Sequence, residues 1–197
     1  MLTDSRQDLG NYNPKLTFGW SNTVSYKRFS LNILIDGKIG GVMMSGTDAV
    51  LAYYGVGDFT QAHRNGDWVL DAVTESGAQN TVAISSEQFW KKVSGGRYGS
   101  GGFFTFDATN VRLRQLSLSY DIPLGRQNLV KGARVSLTGR NLFFFYRGKN
   151  KLHIPGLDDR KIPIDPDQAM GAGSYQGAEL GLLPSTRSFG LNVNLTF

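Results

Sequence analysis

The chain has 197 residues, of which 40% are apolar and 19% charged, with 25 glycines and a net charge of +5. Few charges and much glycine, against typical fractions of about 25% and 7%, suit strands and long turns better than helices. There is no cysteine, which excludes disulfides and thiolate metal sites, and the cations lie scattered in pairs such as Lys27-Arg28 and Lys91-Lys92, which argues against a nucleic-acid groove.

No run of about 18 apolar residues occurs, so no membrane helix is expected. Met1 to Arg6 lack the charged start and apolar centre of a signal peptide. That leaves two expectations: a soluble intracellular protein, or a fragment whose beginning is missing.

Asp8 to Pro14 is a polar lead-in rich in turn formers. Over 15–26 the chain alternates: Leu16, Phe18, Trp20, Val24 and Tyr26 share one parity, and Thr17, Gly19, Ser21, Thr23 and Ser25 the other, with Asn22 the exception. Successive strand side chains point to opposite faces, so this is a strand with one apolar and one polar face. Lys27-Arg28 is a two-residue turn candidate without the Asn-Gly signal. Alternation resumes over 29–39 with Phe29, Leu31, Ile33 and Ile35, broken by Leu34. The segment 40–109 is long, Gly-rich and irregular, with one capped helical stretch expected from Ser85 to Lys92. Residues 95–102 read as a glycine-rich tip and not a phosphate loop, since no Gly-Lys-Ser/Thr follows.

A third strand covers 110–121, where the apolar phase passes from Val111 and Leu113 to Leu116, Leu118 and Tyr120 near Gln115, as a bulge would cause. After a short connection, a fourth covers 132–143 with Ala133, Val135 and Leu137 on one parity. The segment 144–186 is again long and rich in Gly, Asp and Pro. The fifth strand, 187–197, alternates without a fault: Phe189, Leu191, Val193, Leu195 and Phe197 against Ser188, Gly190, Asn192, Asn194 and Thr196.

Alternation alone leaves a soluble sandwich open. The connections favour a membrane, because they run short, long, short, long, as on an outer-membrane barrel with short periplasmic turns and long external loops. Tyr26, Phe29, Tyr120 and Phe197 also fall at the same expected end, the periplasmic one, as an aromatic girdle would. The expected fold is all-β: about five long antiparallel strands of an incomplete transmembrane β-barrel, since closure needs about eight.

Four stretches carry a family resemblance. Asn11-Tyr12-Asn13-Pro14-Lys15 with Ser21-Asn22-Thr23 and Tyr26-Lys27 is the first, and Val111 to Pro123 the second. Arg134 to Phe143, ending in Asn141-Leu142-Phe143, and Pro184 to Phe197 complete the set. In that order they resemble the carboxyl-terminal barrel of SusC/RagA-type TonB-dependent receptors. The resemblance implies a barrel of about 22 strands around a plug, importing glycans or peptides. It also implies energy from the TonB complex, a SusD-like surface lipoprotein as partner, and an outer-membrane location. Plug, energy-coupling box and early strands are not seen in this sequence. A second function class is a soluble or surface β-sandwich that binds glycan.

Candidate site residues follow from side-chain chemistry. Tyr53, Tyr54 and Trp68 in the first long segment, and Phe144 and Tyr146 at the start of the second, offer aromatic faces for a sugar ring. Phe189, Leu191, Val193, Leu195 and Phe197 form a lipid face, and the terminal aromatic resembles the signal read by the outer-membrane assembly machinery. His63 and His153 are expected as solvated loop residues. Asp158-Asp159 and the pair Asp165 and Asp167 fit turn carboxylates better than a calcium loop. No catalytic residues, metal site or cofactor are expected.

Overall fold

The computed structural model describes residues 8–74, 76–95, 100–124, 129–152, 160–168 and 176–197. They form two compact units: the described residues of Lys15–Ile39, Thr109–Arg147 and Pro184–Phe197 make one, and those of Met1–Pro14, Gly40–Ala108 and Gly148–Leu183 the other. The ten strands among the described residues are numbered in chain order.

The first unit is a single antiparallel sheet of β1 (Leu16–Tyr26), β2 (Phe29–Ile39), β7 (Asn110–Ile122), β8 (Gly132–Arg147) and β10 (Ser188–Thr196). They pair in the order β1-β2-β7-β8-β10, and the sheet is open at β1 and β10 among the described residues. β1 and β2 meet across Lys27-Arg28, with Lys27 in the left-handed region at φ 52°. The register aligns apolar residues in rows across the strands. Val24, Leu31, Leu118, Leu137 and Leu191 make one row, and Tyr26, Phe29, Tyr120, Val135 and Val193 the next. In the second row the Phe29 and Tyr120 rings lie 4.7 Å apart. These apolar side chains stand open on their face: Leu191 is 67% exposed, Leu137 57% and Leu118 48%. Two glycines on that face are roofed by rings from the neighbouring strand. A Cβ at Gly37 would come within 2.7 Å of Phe18, and one at Gly139 within 3.3 Å of Phe189.

The opposite face is a polar mesh. Ser25 and Ser30 hydroxyls lie 3.0 Å apart, Asn32 donates to Thr23 at 2.9 Å, and the Ser117 and Thr138 hydroxyls lie 2.8 Å apart. Arg134 donates twice to Asp121, at 2.6 and 3.0 Å. The phase change near Gln115 is a bulge. β2 pairs Ile35 with Leu113 and Leu34 with Gln115, so Arg114 is the extra residue. Two consecutive polar residues then share the polar face, and the apolar face resumes at Leu116. On this face Arg112 and Arg114 converge on Asp36, at 3.0 and 2.6 Å.

β8 extends to Arg147, beyond the end expected at Phe143, so Phe144 and Tyr146 lie on a strand. Two irregularities let it continue: Asn141 takes φ 52°, and Phe145 is skipped between the pairs Val111–Tyr146 and Arg112–Phe144.

The second unit contains more regular structure than the irregular segments suggest. β3 (Val42–Ser45) lies between β6 (Thr105–Asp107), antiparallel, and β9 (Ala178–Glu179), parallel. β4 (Asp67–Val69) pairs with β5 (Ala83–Ser85). Helix α1 spans Gly46–Tyr53 and α2 spans Ser86–Ser94. Ser85 caps α2 through a complete capping box: its hydroxyl accepts from Gln88 N, and Gln88 Oε1 accepts from Ser85 N, both at 3.2 Å. Met43, Phe106 and Ile162 make one small core; Ala52, Phe89, Trp90, Val93 and Phe104 make another.

Candidate functional site

The second core is built from aromatic edges. The ring centroids of Phe59 and Trp90 lie 5.2 Å apart, those of Phe89 and Trp90 5.0 Å, and those of Trp68 and Phe89 4.7 Å, all steeply inclined. Such contacts fix ring positions as well as burying area. They set α2 against α1 and the 3-10 turn Asp58–Gln61.

Above this core lies a hollow of about 530 Å³, within the range of small-molecule sites. Tyr53, Tyr54, Arg64, Glu87, Trp90 and Lys91 line it. The two tyrosine rings meet edge to face at 5.3 Å, and Tyr54 is 72% exposed. Arg64 donates to Gly55 O and, at 3.1 Å, to Thr60 Oγ1. Lys91 and Glu87 pair at 2.7 Å one helical turn apart. Their hydrogen bond holds the Glu87 carboxyl below its usual range and the Lys91 ammonium above its own. Trp90 is buried, and its indole N–H has no hydrogen-bond partner.

A second hollow of about 590 Å³ in the same unit is lined by Asp48, Phe59 and Arg160. Asp48 is buried and ion-paired to Arg160, whose guanidinium lies 3.6 Å from the centre of the Phe59 ring. Burial pushes the Asp48 carboxyl above its usual range, against the opposing pull of Arg160. Glu179 is also buried; it accepts from Ser45 Oγ at 2.9 Å and from Thr47 Oγ1, tying β9 to the start of α1.

Of the five candidate contact residues, Tyr53 and Tyr54 come together at the first hollow. Trp68 is packed between the His63 ring, stacked at 4.8 Å, and Phe89. Phe144 and Tyr146 belong to the sheet unit, where Phe144 lies beneath the Arg112 and Arg147 guanidinium groups at 5.6 Å. Phe189, Leu191, Val193, Leu195 and Phe197 all stand exposed. Asp165 is a turn carboxylate, accepting from Asp167 N at 3.0 Å. His153, Asp158, Asp159 and residues 96–99 of the 95–102 tip lie outside the described residues. Arg64, Glu87, Trp90 and Lys91 were not singled out as site residues by the sequence. For three of them the signal was the capping box, which fixes the phase of α2.

An open antiparallel sheet with one apolar and one polar face is a section of an outer-membrane-type barrel wall. No family model matches the chain. It is 26% identical over 99% of its length to TonB-dependent receptor P3 of Formosa agariphila, and 27% identical over 99% to TonB-dependent receptor P26 of the same organism. It spans 18% of the length of each of these relatives. In fold it is similar to a chain of the RagAB peptide importer in a closed-closed state, with a TM-score of 0.54, 22% identity, and coverage of 94% of this chain and 18% of that one. The resemblance carried by the four motifs therefore holds along the chain: the relatives are TonB-dependent receptors, and the fold is that of a SusC/RagA-type barrel segment.

Proposed function

We propose that the chain is the carboxyl-terminal wall of an outer-membrane TonB-dependent importer of the SusC/RagA type. It would take up glycans or peptides together with a SusD-like surface lipoprotein. The observation that supports this best is the open sheet, whose exposed leucine, valine and aromatic rows on one face suit lipid while the hydrogen-bonded mesh on the other suits a polar lumen. The segments 40–109 and 144–186 then face the outside, the short turns face the periplasm, and the TonB complex supplies energy through a plug outside these residues. Phe189, Leu191, Val193, Leu195 and Phe197 contact lipid and present the strand to the assembly machinery.

The test uses cells carrying the intact receptor or lacking it, supplied with fluorescent oligosaccharides and fluorescent peptides. One of the two substrate classes should accumulate only when the receptor is present, and should stop on adding a proton-motive-force uncoupler. A surface lipoprotein should co-purify with the receptor. Equal accumulation of both classes with and without the receptor would refute the proposal.

A further inference from the structure

Resting on the barrel-wall function proposed above, we propose that the short-turn end of the apolar face holds the phosphate headgroup of an anionic phospholipid, bound by Lys27, Arg28 and Lys131. All three cations stand exposed where the apolar rows end. Lys27 and Arg28 form the β1–β2 turn, directly beyond the Tyr26–Phe29–Tyr120 row. Lys27 Nζ lies 5.3 Å from the centre of the Tyr26 ring, and Tyr26 is 69% exposed on the apolar face. The ammonium is therefore turned to the apolar side of the sheet and not to the polar mesh behind it. Lys131 N donates to Thr196 O at 2.7 Å, which carries the β8–β10 ladder one residue past Gly132. That places Lys131 on the parity of Ala133 and Val135, again the apolar face.

These cations lack an anion of their own. Among the described residues none of the three forms an ion pair. Asp121 is the carboxylate side chain described at this end; it lies on the polar face and is bonded twice to Arg134. An ammonium resting on a ring keeps N–H donors for an acceptor, and phosphate oxygens take them. Interfacial lysines and arginines lay their methylenes on apolar neighbours and hold the charge at headgroup level, beside aromatic rings. Anionic lipid is the matching ligand. Its acyl chains would continue along Val24, Leu31 and Leu118, the next row inward on the same face. An acidic protein partner is the weaker fit. It would meet the turns from beyond the membrane, whereas Lys27 lies back on a ring of the apolar face.

The experiment is native mass spectrometry of the intact receptor, released from detergent micelles that hold equal amounts of phosphatidylglycerol and phosphatidylcholine. Retained phosphatidylglycerol should be favoured about fivefold or more, the effect of one basic residue near an anionic surface. Lys27→Gln combined with Lys131→Gln should lower that preference by about threefold or more, while Lys27→Arg with Lys131→Arg should keep it. Arg187→Gln, on the parity of Phe189 at the opposite end of β10, should leave it unchanged. Melting in the same detergent checks that each variant is folded. Equal retention of the two lipids by the unaltered receptor overturns the proposal. So does a preference that survives the double glutamine variant, including the case where that variant reaches the outer membrane poorly and the cations thus meet a protein. Substrate uptake by cells is a separate readout, so failure of the importer function and failure of the lipid site are told apart.

Discussion

Replacing Leu191 by Arg tests the sheet where lipid and water make opposite demands. Leu191 sits in the row of Val24, Leu31, Leu118 and Leu137, two residues from the Tyr26–Phe29–Tyr120 row and four from Trp20. At about 3.4 Å per residue those separations are about 7 and 14 Å along the strands. With a tilt of about 40° they become about 5 and 10 Å along the membrane normal. The side chain thus lies between two aromatic levels and inside the apolar band. An arginine on a barrel's lipid face costs about 2–4 kcal/mol at the midplane and up to about 1 near the interfaces, so about 2 kcal/mol is expected here. That is roughly a 30-fold loss in the folding equilibrium constant. Asn192→Arg, one residue along on the polar face, should change stability by less than about 0.5 kcal/mol. Denaturant unfolding of the intact receptor from phospholipid vesicles measures both. If Leu191→Arg is as silent as Asn192→Arg, the apolar face does not meet lipid.

Phe197→Ala should sharply reduce the receptor reaching the outer membrane, while the protein that arrives melts only slightly lower. Phe197 is 68% exposed, and full burial of a Phe contributes only about 1.5–3 kcal/mol; normal levels by membrane fractionation would remove its assembly role. A cysteine at Ala78, exposed in the first long segment, should react with an impermeant thiol reagent on intact cells, and one at Arg28, in the β1–β2 turn, should not; the reverse would invert the topology. Ser85→Ala should weaken α2 by about 1 kcal/mol through loss of the capping box, read as faster hydrogen exchange in its first turn. Burial raises the Asp48 carboxyl above 3.8, so the folded state holds that proton more tightly than the unfolded chain. Its contribution to stability is greatest below pH 3.8 and falls as pH rises through the raised value. Asp48→Asn should remove that fall, measured by hydrogen exchange at α1 amides across the acid range.

The sheet was legible because its signal has period two and runs long. The last strand alternates without fault, and the break near Gln115 already marked the bulge at Arg114. The second unit was far less legible. Its strands hold two to four residues and its helices eight and nine, too short for a periodic pattern to rise above its surroundings. α1 carries a capping signal, Ser45 with Asp48 three residues on, but Gly46, Thr47 and Val50 disguise it with poor helix formers. α2 has the full Ser85–Gln88 box and stood out. Composition shows that Tyr53, Tyr54 and Trp68 are aromatic. It does not show that two of them rim a hollow while the third packs against Phe89, because that depends on contacts among α1, α2 and β4. The length of β8 was hidden by Asn141 and Phe145, two irregularities that break its alternation before Arg147.

The most direct measurement is a nitroxide scan along β10 of the intact receptor in lipid vesicles, one label at each position from 188 to 196. Relaxation by oxygen, which concentrates in lipid, should be high at 189, 191, 193 and 195 and low at the positions between them. A water-soluble nickel relaxer should show the opposite phase. Nickel access that is equal along the strand, or highest at the leucine and valine positions, would contradict a lipid-facing barrel wall.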